Sequence, residues 1–96
     1  MRVISKKPLR DFWQIHPESK GLLEDWFKKA SKCEAYSFSQ LRQTFGSADY
    51  VDGVTIFDVG GNRYRLATVI HYDKQRLYVR HVMTHAEYDR NAWRKV

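Results

Sequence analysis

The sequence predicts an α+β domain, in which an N-terminal helical hairpin packs on a small curved antiparallel sheet and a short C-terminal helix follows. Two observations favour this class. Apolar residues recur at helical spacing through the first half, and residues that favour strands fill much of the second half. A chain of 96 residues suits one domain, so we expect a single unit over residues 1–96.

Two amphipathic segments predict the helical hairpin. In the first, Ser5 is a candidate N-cap, and Pro8 falls in the first turn, where its missing N–H costs least. The segment "HPES", residues 16–19, breaks this helix, and Ser19 is a candidate cap for the next one. The apolar stripes of the two helices are formed by Leu9, Phe12 and Trp13, and by Leu22, Leu23, Trp26, Phe27 and Ala30.

A third, shorter helix is predicted by the segment "SFSQLRQTFG". Ser37 and Gln40 have the spacing of a capping box, in which each side chain accepts a backbone N–H of the other residue. Gly46 is a candidate end for this helix because glycine is common just past a helix C-terminus.

The second half predicts three antiparallel strands, at about residues 53–59, 63–72 and 76–83. The turn "GGN", residues 60–62, supplies residues that tolerate positive φ, and residues 73–75 supply the second turn. Alternation along the central strand defines two faces. One carries Arg63, Arg65, Ala67, Val69 and His71, and the other carries Tyr64, Leu66, Thr68, Ile70 and Tyr72.

The second of these faces is the more apolar, so we expect it to pack against the helices and to leave the arginines on an open face. In the last strand, either Arg80 or His81 shares that open face. The sequence does not decide between them, because the answer depends on strand register.

A cluster of polar residues, "THAEYD", follows the last strand. Thr84 and Glu87 have capping-box spacing, which predicts a helix that starts at His85. His85 and Tyr88 are then three residues apart and share one helix face. Free N–H groups at a helix N-terminus suit phosphate, and arginines stand on the preceding strands, so the cluster is a candidate site for phosphoryl transfer.

The charge of the chain favours a polyanionic partner. Seventeen Lys and Arg residues against 11 Asp and Glu residues leave a formal net charge of +6 and a pI of about 9.6. This excess is spread along the chain, which favours RNA, DNA or an acidic protein as a partner. A basic domain with no role in nucleic-acid binding is the alternative.

Other classes of function find little support. Cys33 is the single cysteine, so the chain forms no internal disulfide and has no cysteine cage for zinc. The four histidines lie beside no patterned carboxylate, so we expect no metal site. No segment approaches a membrane span and the first residues lack a signal-peptide pattern, so we expect a cytoplasmic protein that does not bind a membrane.

The chain resembles the HigB-type toxins of bacterial type II toxin–antitoxin systems. The resemblance extends over nearly the whole sequence in order, through "MRVISKKPLRDFWQIHPESKGLLEDWFKKA", "SADYVDG" and "GNRYRLATVIHYDKQRLYVRHVMTHAEYD". Its most specific part is "GN-x-YRL" followed by "THAEYD". The resemblance implies a RelE-like fold of the RelE/ParE superfamily.

The resemblance also implies an activity and partners. Such toxins are mRNA interferases, endoribonucleases that cut messenger RNA in the ribosome and so inhibit translation. The ribose 2′-OH attacks the adjacent phosphate, with no metal or cofactor. A HigA-type helix-turn-helix antitoxin neutralises the toxin and represses the operon, so operator DNA is contacted only through the antitoxin.

By position in the motifs, the resemblance implies roles for seven residues. Arg65 is expected to stabilise the scissile phosphate, His85 to perform acid–base chemistry, and Tyr88 to stack on or orient a base. Further RNA contacts are expected from Arg63, Arg80, His81 and Arg90.

Two other functions remain open for this fold. ParE-type members of the superfamily inhibit gyrase without cutting RNA, and a degenerate toxin would be kept only for antitoxin binding and operon control. ParE-type members typically lack a catalytic set. The sequence offers candidates for all three catalytic roles at Arg65, His85 and Tyr88, which favours the nuclease.

Overall fold

A computed structural model describes residues 1–90, which form a five-stranded sheet, four α-helices and two short 3-10 helices, at Pro17–Ser19 and Tyr72–Lys74. The strands are β1 (Arg2–Ile4), β2 (Asp49–Val51), β3 (Val54–Val59), β4 (Tyr64–His71) and β5 (Arg76–Thr84). The helices are α1 (Lys7–Ile15), α2 (Lys20–Lys32), α3 (Phe38–Thr44) and α4 (His85–Asp89). The predicted α+β class, with its helical hairpin and short C-terminal helix, is confirmed.

The sheet contains the predicted meander and two further edge strands. In the order β1-β5-β4-β3-β2, strands β3, β4 and β5 pair antiparallel, as predicted. Strand β2 adds an antiparallel edge beside β3, and β1 adds a parallel edge beside β5, so the sheet is mixed, with the predicted antiparallel strands at its centre.

The sequence contains a signal for the hairpin that joins β2 to β3, which we did not predict. Asp52 and Gly53 form its turn, and both have positive φ, at 51° and 81°. An Asp-Gly pair flanked by strand-forming residues is a strong hairpin signal, because these two residues tolerate the left-handed region. Gly60 and Gly61 do the same in the predicted β3–β4 turn, with φ of 66° and 68°.

The helix starts differ from the prediction in detail. Lys6, not Ser5, is the N-cap of α1, because Ser5 has a positive φ of 66° in the preceding turn, while Pro8 lies in the first turn as predicted. Ser19 stands at the N-cap of α2, but its hydroxyl donates to the carbonyl of His16 at 2.7 Å and caps nothing.

The cap of α3 is half of the predicted capping box. The Ser37 hydroxyl accepts the N–H of Gln40 at 3.2 Å, as predicted. The Gln40 side chain instead accepts the N–H of Tyr36, at 2.8 Å. The helix ends at Thr44 with Phe45 as its C-cap, one residue before Gly46.

Helices α1, α2 and α3 cover one face of the sheet. The buried residues between these layers include Leu9, Phe12, Leu23, Trp26, Leu41, Phe57, Leu66 and Leu77. Ile56, Ala67 and Met83 form a smaller buried cluster on the opposite face, which we call the open face. The alternation of β4 is therefore as predicted. Among residues 1–90, no helix is both long and apolar enough to cross a membrane.

Candidate active site

A β-bulge in β5 decides which polar residues reach the open face. Ala67 of β4 pairs with His81, but the next residue, Thr68, pairs with Val79, so Arg80 is an extra residue in β5. A bulge of this kind directs two consecutive side chains to similar sides of the strand. Arg80 and His81 accordingly line the same pocket beside Ala67. The sequence left open which of Arg80 and His81 lies on the open face, and in the structure both of them do.

This pocket, which we call the bulge pocket, has a volume of about 250 Å³. It is lined by the Asp52–Val54 turn, Ala67, Val69, Arg80 and His81. The lining residues thus include three aliphatic residues together with an aspartate, an arginine and a histidine. Two of the predicted RNA-binding residues, Arg80 and His81, come together here, and Asp52 joins them without having been predicted.

Arg65 lies on the open face but is buried, with 7% of its surface exposed. Its Nε atom lies 2.9 Å from Oδ1 of Asp58 on β3. Its remaining bonds go to the carbonyls of Gly61 and Tyr64, at 3.3 and 3.1 Å, and to Oδ1 of Asn62, at 3.2 Å. Four protein oxygens therefore hold a guanidinium that we had expected to face solvent.

Tyr88 covers this guanidinium. Its ring centre lies 5.6 Å from Cζ of Arg65, within the range of a cation–π interaction. The half-buried ring also packs against the cluster of Ile56, Ala67 and Met83. The structure thus brings together two of the three predicted catalytic residues, and α4 provides the cover that buries Arg65.

The capping box that starts α4 is confirmed. The Thr84 hydroxyl accepts the N–H of Glu87 at 3.2 Å, and the Glu87 carboxylate accepts the N–H of Thr84 at 2.9 Å. The N–H of His85 donates to the carbonyl of Arg63 at 3.0 Å. Since protein oxygens already occupy these N–H groups, the helix start offers phosphate fewer free donors than we expected.

His85 presents its imidazole to solvent at the start of α4. Its side chain is 48% exposed, and its Nε2 atom lies 3.2 Å from Oδ2 of Asp89, one helical turn further on. A histidine that is accessible and has a carboxylate partner suits proton transfer, because the carboxylate orients the ring.

Arg63 and Arg90 lie outside the open face of β4. Arg63 belongs to the β3–β4 turn, so the strand alternation that predicted it beside Arg65 does not apply. Its charge instead acts on Glu18, on the helix side. The pKa of Glu18 lies below its ordinary value, first because of a backbone hydrogen bond, then because of the Tyr64 hydroxyl and the charges of His16 and Arg63. Arg90 is exposed and follows α4.

Three residues of this region were not predicted as site residues from the sequence: Asp52, Asp58 and Asn62. Asp58 faces Arg65 across the hairpin, and opposite charges that flank a hairpin turn are the signal for such a pair. The signal requires the register, which places Val59 opposite Tyr64. In residues 1–90, no three His, Cys, Asp or Glu side chains are grouped closely enough to share a metal ion.

Fold and site together define a small basic protein that offers arginine and histidine side chains on one sheet face. The family model described as HigB toxin, the RelE-like toxic component of a toxin–antitoxin system, matches residues 19–91. The chain belongs to this family, which confirms the resemblance found in the sequence. Membership implies a cognate antitoxin as a partner.

The chain is similar to relatives that are named mRNA interferases. The mRNA interferase toxin HigB of Escherichia coli (strain K12) is 34% identical over 93% of this chain and 88% of its own length. The mRNA interferase HigB of Escherichia coli O6:H1 is 28% identical over 94% of this chain and 90% of its own length. The similarity thus includes both the helical hairpin and the sheet.

Proposed function

We propose that this toxin is an mRNA interferase, an endoribonuclease that cuts messenger RNA and so inhibits translation. The observation that carries the proposal is the 34% identity, over 93% of the chain, to a toxin named for that activity. The basic charge of the chain supports a polyanionic substrate. So do the arginine and histidine side chains of the open face.

The proposed reaction is a transfer of the phosphoryl group within the RNA. The ribose 2′-oxygen attacks the adjacent phosphorus, the bond from phosphorus to the 5′-oxygen of the next nucleotide breaks, and a 2′,3′-cyclic phosphate and a 5′-hydroxyl result. One proton leaves the 2′-hydroxyl and one reaches the departing oxygen. His85 performs acid–base chemistry in this reaction, since its imidazole is accessible beside Asp89.

Two arginines of the open face have different roles in this proposal. Arg65 stabilises the charged phosphate through its own charge from beneath Tyr88, because protein oxygens hold most of its N–H groups. Arg80 is exposed at the bulge, so it makes direct contacts with RNA. Tyr88 offers its ring to stack on or orient a base, as aromatic side chains do with unpaired RNA.

The remaining contacts surround this centre. His81 lines the bulge pocket, while Arg63 and Arg90 are exposed at the β3–β4 turn and after α4. All three bind RNA in the proposal. The reaction takes place on the ribosome, and electrostatic contacts with its RNA weaken as salt rises. The neutralising partner is an antitoxin of the HigA type, with a helix-turn-helix domain through which operator DNA is contacted.

The test is to induce the toxin in cells and to map the ends of an abundant message by primer extension. We expect in-frame cuts within translated regions, and we expect His85→Ala to lower cleavage by roughly 10²- to 10⁴-fold. His71→Ala is the matched control, because His71 is exposed at the other end of β4.

Antitoxin binding, measured by co-purification, shows whether each variant is folded. Growth arrest with intact messages would refute the nuclease and favour the gyrase-type alternative. Cleavage that His85→Ala leaves unchanged would remove His85 from the mechanism. Neither growth arrest nor cleavage, with the antitoxin still bound, would favour a module retained for antitoxin binding.

A further inference from the structure

We propose that three aromatic residues, Tyr36, Phe38 and Tyr50, form the surface on which the antitoxin docks, and we call this surface the aromatic patch. The antitoxin segment that fits it carries aliphatic side chains beside arginine or lysine. This inference deepens the proposed function, on which it rests, because it states where the neutralising partner binds. It depends on the exposure of the patch, on the charges around it and on the face of the sheet where it lies.

The aromatic patch is apolar surface that the fold leaves exposed. Among residues 1–90, the exposed large hydrophobic side chains are Ile15, Tyr36 and Tyr50, at 77%, 57% and 57%. The ring centre of Tyr50 lies 5.8 Å from that of Phe38, and Tyr36 precedes Phe38 by two residues, which is about 7 Å at most along the chain. A single exposed residue such as Ile15 is ordinary, whereas adjoining apolar side chains with a polar rim mark a protein interface.

Two polar contacts restrain the rings of the patch. The Tyr36 hydroxyl donates to Oε1 of Glu34 at 3.0 Å. Arg42 lies against Phe38, with Cζ 6.0 Å from the ring centre, and also donates to the carbonyl of Gly46 at 3.1 Å. Restrained rings lose less freedom when a partner binds, and tyrosine is enriched at the energetic centres of protein interfaces.

The charges around the patch are acidic. The two segments that supply the rings, residues 34–38 and 49–53, contain three charged residues, all exposed and all acidic: Glu34, Asp49 and Asp52. The chain as a whole has a net charge of +6, so these segments depart from its general character. Carboxylates repel the phosphates of RNA and attract arginine and lysine, and a guanidinium also stacks well on a tyrosine ring. A basic and apolar protein segment is therefore the partner that fits.

The patch lies on the other face of the sheet from the proposed reaction centre. Tyr50 pairs with Thr55, which in turn pairs with Thr68 of β4. Side chains directly opposite one another share a face, so Tyr50 lies on the face of Thr68, which the helices cover. Arg65 and Tyr88 lie on the open face. A loss of antitoxin binding at the patch is therefore separable from a loss of RNA cleavage.

The side chains of the patch make the contact, and the backbone of β2 contributes little. Strand β2 is one edge of the sheet, and an edge strand can pair with a strand of another protein. However, β2 has only three residues, and Oδ1 of Asp49 already accepts the N–H of Tyr50 at 2.9 Å. The exposed rings are therefore the anchors that we expect to determine affinity.

The first experiment measures the dissociation constant (Kd) of the purified toxin for the antitoxin encoded in the same operon, by isothermal titration calorimetry. The double variant Tyr36→Ala/Tyr50→Ala removes both exposed rings, and we expect it to raise the Kd roughly 30-fold or more. Ile15→Ala is the matched control, because Ile15 is equally apolar and exposed but lies at the end of α1. An unchanged Kd in the double variant, or an equal loss in the control, would overturn the proposal.

A second pair of variants tests the acidic rim without removing a ring. In Glu34→Gln/Asp49→Asn, the amide oxygens can still accept the Tyr36 hydroxyl and the Tyr50 N–H. We expect association with the antitoxin to slow roughly tenfold at low salt, and we expect the difference to shrink as salt rises. The control, Asp11→Asn/Asp25→Asn, changes the net charge equally on α1 and α2. Equal effects of the two pairs, or faster association of the first, would overturn the proposal.

Expression in cells separates docking from the nuclease. We expect Tyr36→Ala/Tyr50→Ala to arrest growth and to cut messages when expressed alone, and to do so even when the antitoxin is co-expressed. Lost cleavage with the antitoxin still bound would assign the patch to RNA and overturn the proposal. So would a wild-type dimer in sedimentation that becomes monomeric in the variant with an unchanged Kd, since a second copy would then occupy the patch. A wild type that binds the antitoxin through the patch but cuts no message would overturn the nuclease alone.

Discussion

Asp58 and Arg65 face each other across β3 and β4, and Oδ1 of the aspartate lies 2.9 Å from Nε of the arginine. The arginine side chain is 9% exposed and the aspartate side chain 31%. Tyr88 lies over the same guanidinium, so its cation–π contact connects this ion pair of the β3–β4 hairpin to α4. The stability of the fold and the placement of the proposed catalytic residues thus depend on a common contact.

Asp58→Ala is expected to destabilise the protein by about 1–3 kcal/mol, because it leaves the buried charge of Arg65 without its carboxylate. Urea denaturation measures the free energy of unfolding. The matched control is Asp11→Ala, which removes an even shorter ion pair, at 2.7 Å from Lys7, between side chains that are 75% and 55% exposed. That loss should not exceed about 0.5 kcal/mol. Equal losses in the two variants would contradict the structural role of the Asp58–Arg65 pair.

Thr84→Ala is expected to lower the free energy of unfolding by about 1 kcal/mol and to reduce cleavage. The change removes the cap that starts α4, the helix that positions His85 and Tyr88. Ser37→Ala removes a cap with the same 3.2 Å bond from α3, on the helix side of the sheet. We expect a similar loss of stability there with cleavage retained. Both are measured by thermal unfolding and by primer extension. Loss of activity in both variants would show that general destabilisation explains the effect.

Gly60→Ala is expected to destabilise more than Gly61→Ala, although φ is nearly the same at the two positions, 66° and 68°. A Cβ atom at Gly60 would lie 2.7 Å from Cδ1 of Leu22, whereas one at Gly61 would meet nothing within 4 Å. Backbone strain alone costs about 1–2 kcal/mol, and the displacement of Leu22 adds about 1 kcal/mol. Equal unfolding midpoints in urea would contradict the close approach of the turn to α2.

The stability of the protein is expected to fall above pH 10, in part through Tyr64. Burial, and then its hydrogen bond to the Glu18 carboxylate, raises the pKa of Tyr64 above its ordinary value of 10.0. As pH rises past 10, the unfolded chain loses this proton first, so the folded state binds more protons and becomes less stable. The pKa of Tyr72 is also raised, chiefly by burial, so Tyr64→Phe should reduce the alkaline decline without abolishing it.

The stability of the protein is also expected to fall in acid, because the pKa of Glu18 is shifted in the opposite direction to that of Tyr64. The pKa of Glu18 lies below its ordinary value of 4.5, so the unfolded chain takes up this proton first as pH falls, and stability declines below about pH 4.5. Tyr64→Phe removes one cause of that shift and should make the decline shallower. Urea midpoints between pH 3 and 11 test both limbs. Identical pH profiles for the wild type and the variant would contradict the Tyr64–Glu18 contact.

Elements that depend on neighbours in the sequence were predictable. The Thr84–Glu87 capping box, the Ser37 cap and the Gly60–Gly61 turn each involve residues within a few positions of one another. Amphipathic spacing likewise located α1 and α2, and alternation located β4. Ser5 failed as a cap because its positive φ is imposed where the chain turns from β1 into α1.

The sequence by itself determined the class of fold, the order of the main elements and the family. Local propensity, periodicity and motif spacing all act over short separations. Only the tertiary structure decided that β1 joins β5, that a bulge brings Arg80 and His81 to one face, and that Tyr88 and Asp58 bury Arg65. Register and burial depend on which distant elements pack together, since one residue of slip in register moves a side chain to the other face of the sheet.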